Sequence, residues 1–252
     1  MKVRKLKNII LSTLVTLILG VSAYPFAVYY FYNVEKLITH YPEFKIVKGE
    51  VDDYTIVKNK PRYWVRLNEI SAYGKWAIIL SEDWGFYQHK GFDVEQLKIA
   101  VNDGFKEGKK LRGASTISQQ MVKNVYLDNS RSYFRKFKEL ILTYKVEKYL
   151  SKQRILEIYL NSIEFGPGIW GIRNASYHYF KKHPSSLNPR EASFLAMLLP
   201  SPKRYYESFR RRTLTRFARV RVNSTLTKLK MARVISQDEY IFYRHFKMSW
   251  EN

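Results

Sequence analysis

Asn188-Pro189-Arg190-Glu191-Ala192-Ser193-Phe194-Leu195-Ala196-Met197-Leu198-Leu199-Pro200-Ser201-Pro202 reads as a helix with both ends marked. Asn188 is an N-cap, Pro189 occupies N1, where an N–H would lack a partner, and Glu191 at N3 reaches back toward the cap. The apolar run Ala192 to Leu199 then stops at Pro200-Ser201-Pro202. Working outward, Ser236 and Glu239 repeat the capping pattern before Tyr240-Ile241-Phe242, and Ser151 stands ahead of Ile155, Leu156, Ile158, Tyr159 and Leu160. Signals are helical from about residue 66 onward. Before that, Tyr54 to Val57 and Tyr63 to Val65 carry short strand signals, with a turn at Lys58-Asn59-Lys60-Pro61. No internal repeat or low-complexity segment interrupts the pattern. The fold expected is mainly α.

At 252 residues and 46% hydrophobic content the chain can bury one good core with a minor lobe attached. Its formal net charge of +22 calls for a polyanionic partner: nucleic acid, anionic lipid headgroups or a phosphate-bearing substrate. The absence of cysteine excludes disulfides, thiolate metal sites and a cysteine nucleophile. The N-terminus decides among the partners. Lys2, Arg4, Lys5 and Lys7 precede an uncharged run from Asn8 to Val34. About twenty apolar residues span a bilayer, whereas a signal-peptide core is shorter. Val21-Ser22-Ala23 keeps peptidase cleavage open as an alternative. Tyr29 to Tyr32 suit an interfacial belt, and the basic flank stays inside. The expected organisation is a cytoplasmic basic tail (1–8), a transmembrane anchor (9–34), a stalk (35–62) and a folded domain (63–245) facing outward. Nucleic acid is then excluded. Between Lys203 and Arg233 lie eleven Lys or Arg and one acid, Glu207, read as a solvated face or one meeting anionic headgroups.

Three stretches carry chemistry. Glu82-Asp83-Trp84-Gly85-Phe86-Tyr87-Gln88-His89-Lys90-Gly91 follows the apolar run Trp76 to Leu80, so two carboxylates emerge from a buried element. Burial and a neighbouring charge both raise a carboxylate pKa, which suits a general acid or base; a solvated helix end is the alternative. In Gly113-Ala114-Ser115-Thr116-Ile117-Ser118-Gln119-Gln120-Met121-Val122-Lys123-Asn124, Ser115 is the expected N-cap. Thr116, Gln120 and Lys123 then make a polar stripe able to grip sugar hydroxyls or phosphate oxygens, unless the helix is simply amphipathic. Arg135-Lys136-Phe137-Lys138-Glu139 opens a helix expected to turn Phe134, Phe137, Ile141 and Tyr144 inward. Its cations and carboxylate suit either a surface ion pair or a diphosphate with a bridging divalent ion.

Together and in order, these stretches resemble a known family. Glu82-Asp83-x-x-Phe86-x-x-His89-x-Gly91, Gly113-x-Ser115-Thr116-Ile117-x-Gln119-Gln120-x-x-Lys123-Asn124, Arg135-Lys136-x-x-Glu139 and Lys152-x-x-Ile155-Leu156-Glu157-x-Tyr159-Leu160-Asn161 are similar to the motifs of peptidoglycan glycosyltransferases, glycosyltransferase family 51. Phe165-Gly166-x-Gly168-x-x-Gly171 through Tyr179-Phe180 adds a fifth element, and the likeness runs from about residue 63 to 240. With no room for a transpeptidase domain after residue 252, the chain is expected to resemble the monofunctional biosynthetic transglycosylases. Departures are small: Tyr179-Phe180-Lys181-Lys182 replaces Tyr-Phe-Gly-Lys, Asn174-Ala175-Ser176 replaces an alanine-rich run, and Ser118 replaces a common threonine.

The resemblance implies a lysozyme-like helical domain with a smaller membrane-proximal lobe and a cleft between them. It implies polymerisation of lipid II into β-1,4-linked glycan strands with inversion and release of undecaprenyl diphosphate. Glu82 is the implied general base. Lys123, Arg135, Lys136 and Glu139, with a divalent ion (Mg or Mn) held by Glu139 through the diphosphate, are the implied charge stabilisers. Asp83 would orient Glu82, Ser115, Thr116 and Gln120 would hold the donor, Phe86 and His89 would shape the first motif, and Asn124 would lie with the substrate-binding set. No organic cofactor is implied. The implied location is the cytoplasmic membrane, single-pass, with the N-terminus inside, alongside other cell-wall synthesis or division proteins. A lysozyme-like or lytic peptidoglycan-cleaving enzyme and a catalytically inactive cell-wall scaffold are the competing readings. A lytic enzyme needs a proton donor and not a cationic clamp.

Overall fold

The computed structural model describes Thr13 and residues 23–47, 50–98, 115–128, 130 and 132–252. From Ala72 onward the chain is a succession of helices: α1 (Ala72–Glu82), α2 (Ile117–Tyr126), α3 (Tyr133–Tyr149), α4 (Lys152–Ser162), α5 (Ile172–Phe180), α6 (Pro189–Leu198), the single turns α7 (Pro202–Tyr205) and α8 (Glu207–Arg210), α9 (Arg216–Met231) and α10 (Gln237–His245). Shorter helical stretches lie at 23–31 and 94–98.

The helix opening at Asn188 is the centre of the molecule. All ten residues of α6 are buried, its first-turn polar side chains included, and α1 and α9 both pack on it and on each other. Its expected cap is present: Glu191 N donates to Asn188 Oδ1 (3.0 Å) and Asn188 N to Glu191 Oε2 (3.0 Å). The Ser236–Glu239 box and the Ser151 cap also form. Each such cap is worth about 1 kcal/mol. Buried Arg190 donates to the carbonyls of Tyr243 and Arg244, closing the C-terminal end of α10 onto the core helix. A second layer joins α2 to α3 and α4. The cleft opens where α1 and α9 meet α2.

Of the segment expected as a stalk (35–62), the described residues hold regular elements applied to the helices. A 3₁₀ turn, Val34–Ile38, buries Val34 and Leu37 beside α3. Strands β1 (Tyr41–Val47) and β2 (Glu50–Val57) pair antiparallel from Tyr41↔Val57 to Val47↔Glu50. Tyr54 lies in β2 as its strand signal indicates, and its hydroxyl donates to Ser162 O (2.7 Å) at the end of α4. Tyr63 to Val65, by contrast, is not a strand. It leaves a turn, in which Trp64 N donates to Pro61 O (3.0 Å), with α4 side chains as partners: Trp64 Nε1 and Leu67 N donate to the Glu157 carboxylate, and Asn161 exchanges bonds with both the N–H and the carbonyl of Val65. A two-residue strand pair, β3 (Glu164–Gly166) with β4 (Ile169–Trp170), follows α4.

One expectation fails on α3. Phe134, Phe137 and Tyr144 are exposed, while the face turned inward carries Glu139, Leu142, Thr143, Lys145 and Val146. The helix has two apolar stripes, and the one containing Leu142 and Val146 takes the core. Most of the anchor expected over 9–34 lies outside the described residues; of it, 23–31 is helical and docked. Lys145 Nζ donates to Tyr29 O (2.6 Å) and Tyr32 O (2.9 Å), and Tyr24 stacks on Phe137. Among the described residues no helix is long and apolar enough to cross a membrane.

Candidate active site

Glu82 is the last residue of α1 and Asp83 its C-cap, and there the two carboxylates diverge. Asp83 turns into the protein. Its Oδ2 accepts from Ile117 N (2.9 Å), the first residue of α2, and its Oδ1 pairs with His89 Nε2 (2.9 Å). A carboxylate at the N-terminal end of a helix is stabilised by the exposed N–H groups and the dipole. His89 Nδ1 accepts from Gly91 N (3.1 Å), which leaves Nε2 as the donor to Asp83. Gly91 sits at φ +89°, where a Cβ would come within 2.9 Å of both Glu147 and Thr143, so the position requires glycine. Thr116 Oγ1 donates to Gly91 O (2.7 Å). Asp83, His89, Gly91 and Thr116 thus fasten the loop after α1 to the start of α2, and Phe86 is fully buried beneath them with Lys152 Nζ 4.6 Å from its ring centre.

The N-cap of α2 is Thr116, not Ser115. Gln119 N donates to Thr116 Oγ1, and Thr116 N to Gln119 Oε1. Two adjacent hydroxyls had equal local claims, and the tertiary bond to Gly91 selects the second. Thr116 is therefore buried and does not join a stripe with Gln120 and Lys123; Ser115 is the exposed hydroxyl at the cleft.

The cleft has a volume of about 480 Å³ and is lined by Glu82, Ser115, Gln119, Gln120, Lys123, Glu139 and Arg221, with Ser81, Leu199 and Pro200. Consecutive glutamines on α2 each reach one acid. Gln120 Nε2 donates to Glu82 Oε2 (3.0 Å), and Gln119 Nε2 approaches Glu139 Oε1 (3.4 Å). Behind Gln120, the fully buried Tyr159 of α4 donates its hydroxyl to Gln120 Oε1 (2.8 Å). Gln120, expected on the donor, is thus occupied with the acid.

Loss of water around the Glu82 carboxyl raises its pKa; the Gln120 bond and the cations Arg221 and Lys228 oppose the shift, and Asp83 adds to it. Lys228 Nζ donates to Leu80 O (2.7 Å) in the last turn of α1, and its own pKa is lowered by burial and by Arg221. Glu139 is held differently. Lys136 Nζ bonds its Oε1, and Arg135 Nη1 lies 3.4 Å from its Oε2. Arg135 and Lys136 reach the cleft through Glu139, while Lys123 lines it directly from an exposed position. Asn124 is half-buried on α2 and is not among the lining residues.

Gln119 and Tyr159 stood in the motifs without a role, and Arg221 and Lys228 only in the basic run, so none was expected at the site. For the last two a signal existed: they are seven residues apart on α9, on one face beside the buried positions Val222 and Leu229. The run from Lys203 to Arg233 is accordingly not one outward face, because two of its cations turn toward Glu82.

The sequence is similar to those of known proteins. The chain is 43% identical over 158 residues to the biosynthetic peptidoglycan transglycosylase of Azoarcus sp. (strain BH72), covering 63% of this chain and 68% of that protein. It is 44% identical over 158 residues to the protein of the same name from Acinetobacter baylyi, covering 62% and 70%. Against that of Acinetobacter baumannii (strain SDF) it is 40% identical over 169 residues, covering 64% and 73%. The sequence pattern described as Transglycosylase matches residues 49–230, a span that contains both cleft carboxylates, their glutamines and the two cations of α9, and the chain belongs to the transglycosylase family.

Proposed function

We propose that this chain polymerises lipid II into β-1,4-linked glycan strands at the cell envelope, with Glu82 as general base. The observation that carries the assignment is the unlike treatment of two acids in one cleft: Glu82 is desolvated and held by an amide, and Glu139 is bound by cations. In the reaction Glu82 takes the proton of the acceptor 4-hydroxyl as that oxygen attacks the anomeric carbon of the donor. The new C1–O4 bond forms as the C1–O bond to diphosphate breaks on the opposite face, so the configuration inverts. A raised carboxyl pKa brings the base closer to the working pH, where such catalysis contributes about 10²–10⁴-fold. Diphosphate leaves without a proton donor, and its charge falls to Lys123, Arg135 and Lys136. Ser115 lies free to meet the donor, while Asp83, His89, Phe86 and Thr116 hold the loop that presents Glu82.

Among the described residues no three His, Cys, Asp or Glu side chains cluster as a metal cage, and Glu139 already accepts from Lys136 and Arg135. That donor set fits a Mg or Mn ion arriving on diphosphate oxygens, with Glu139 as its one protein carboxylate. Bound there, the ion would supply neutralisation of the diphosphate charge.

A membrane location is supported by the apolar N-terminal run and by surface chemistry. Phe134, Phe137, Leu140 and Tyr144 of α3 are exposed, as are Phe26, Tyr30 and Phe31 of the docked segment that continues from that run. An apolar stripe contiguous with a spanning sequence suits lipid. The reading is one N-terminal anchor, basic end inside, with the helical domain outside.

The test is polymerisation of purified lipid II in detergent with a divalent ion, the products sized by gel before and after muramidase digestion. Muramidase-sensitive strands from wild type and none from Glu82→Gln are expected. Unchanged lipid II with a folded wild-type protein would favour a scaffold, and shortened pre-formed glycan a lytic enzyme.

A further inference from the structure

We propose that Tyr159 is a positioning residue for the Glu82 base, its buried hydroxyl fixing which end of the Gln120 amide meets the carboxylate. The inference rests on Glu82 being the base. An amide has a donor end and an acceptor end, and Gln120 lies between a carboxylate that only accepts and a buried phenol whose proton needs an acceptor. An ionised carboxylate only accepts, so it requires the NH₂ end, found 3.0 Å from Glu82 Oε2. The oxygen end must then face a donor, and Tyr159 supplies one at 2.8 Å. Burial holds the Tyr159 phenol far above its ordinary range, with the charges of Glu82 and Asp83 acting the same way, so its proton stays in place through the working pH.

The relay selects a charge state. Were Glu82 protonated, its hydroxyl would be best served by the amide oxygen. That flip would turn the NH₂ group to the Tyr159 oxygen, which can accept, but would leave the phenol proton without the acceptor it now has. Tyr159 thus biases Gln120 toward the orientation that serves the carboxylate. The other charged groups facing Glu82 are Arg221 and Lys228 from α9 and Asp83 from its own helix end, with Lys123 and Glu139 across the cleft. The cations favour the carboxylate but impose no direction on the amide. The Ser115 carbonyl, 3.4 Å from Gln120 Nε2, favours the same orientation from the NH₂ end, and Tyr159 is the partner of the oxygen end among the described contacts.

Tyr159→Phe deletes one oxygen at a packed site and frees the amide to rotate. The experiment is the pH dependence of kcat on lipid II for wild type, Tyr159→Phe, Gln120→Leu and the double variant, with thermal melts to confirm folding. The acid limb should move up by about one pH unit in Tyr159→Phe, with roughly tenfold loss below it and KM unchanged, and Tyr159→Phe should add nothing in the Gln120→Leu background. An unmoved acid limb in folded Tyr159→Phe, or an equal further loss in the Gln120→Leu background, would overturn the proposal. Should Tyr159→Phe not fold, Gln120→Leu alone decides, because an unmoved limb there removes the relay. Turnover retained by Glu82→Gln would instead defeat the base assignment, which keeps the two failures separate.

Discussion

The Glu82 and Glu139 sides of the cleft use the same side chain in opposite surroundings. Glu82 ends a helix packed against α6 and α9; its direct partner is the Gln120 amide, with the cations Arg221 and Lys228 acting from α9. Glu139 lies within α3, where Lys136 and Arg135 from the preceding turn close on it at i−3 and i−4. Burial beside an uncharged amide raises the proton affinity of Glu82, whereas Glu139 has two cations in contact with its carboxylate. The difference teaches that conjunction in one cleft does not assign a role. Partners assign it, and on that ground proton transfer belongs to Glu82 and charge placement to Glu139.

Breaking each side separately gives the largest expected effects. Glu82→Gln should lower kcat by about 10²–10⁴-fold and leave any residual rate without an acid limb. Glu139→Gln should cost less, about 10- to 100-fold, because it loosens Arg135 and Lys136 instead of removing the base. The sharper reading is the pH profile: Glu139→Gln should keep the acid limb of wild type. Loss of that limb in Glu139→Gln, or its persistence in Glu82→Gln, would reverse the two roles.

An intermediate effect is expected at Lys228. It binds the Leu80 carbonyl at the negative end of α1 and acts on Glu82 as a cation. Lys228→Met should raise the acid limb and reduce turnover a few-fold, on the order of 1 kcal/mol, and Lys228→Arg should restore most of it. A loss independent of pH and not recovered by Arg would make Lys228 a packing residue only.

What sequence reading reached and missed follows from the range of the interactions. The α6 core helix and its cap were legible because Asn188, Pro189 and Glu191 act within one turn and Pro200 ends the run. The carboxylates and cations of the ordered motifs were legible through resemblance. Tyr63 to Val65 was misread because its backbone is satisfied by a turn to Pro61 and by the Asn161 side chain, about ninety residues away in sequence, and not by a strand. The faces of α3 were misassigned because periodicity finds apolar stripes without saying which one meets the core. Tyr159 lay hidden within an apolar run, where its hydroxyl announces nothing until Gln120 is placed beside it. Arg221 and Lys228 were submerged in a basic stretch whose bulk charge gave no sign that two members turn inward.

The smallest expected effect concerns stability, and it separates the two acids once more. Burial raises the Glu82 pKa above its ordinary 4.5, so the folded chain holds that proton more tightly than the unfolded chain. The stabilising contribution is therefore full below 4.5 and is lost as pH rises through the folded value, beyond which an ionised carboxylate is kept partly out of water at a cost. Gln at position 82 has no proton to lose and retains a carbonyl to accept from Gln120. Glu82→Gln should thus melt above wild type at about pH 7, each kcal/mol gained appearing as roughly 2–4 °C, with the gap narrowing toward about pH 5. Glu139→Gln should melt below wild type, because Arg135 and Lys136 lose their counter-charge near the core. Melting curves for both variants across that range check the pair. A Glu82→Gln variant no more stable than wild type at neutral pH would mean that Arg221, Lys228 and Gln120 already offset the burial of the base in full.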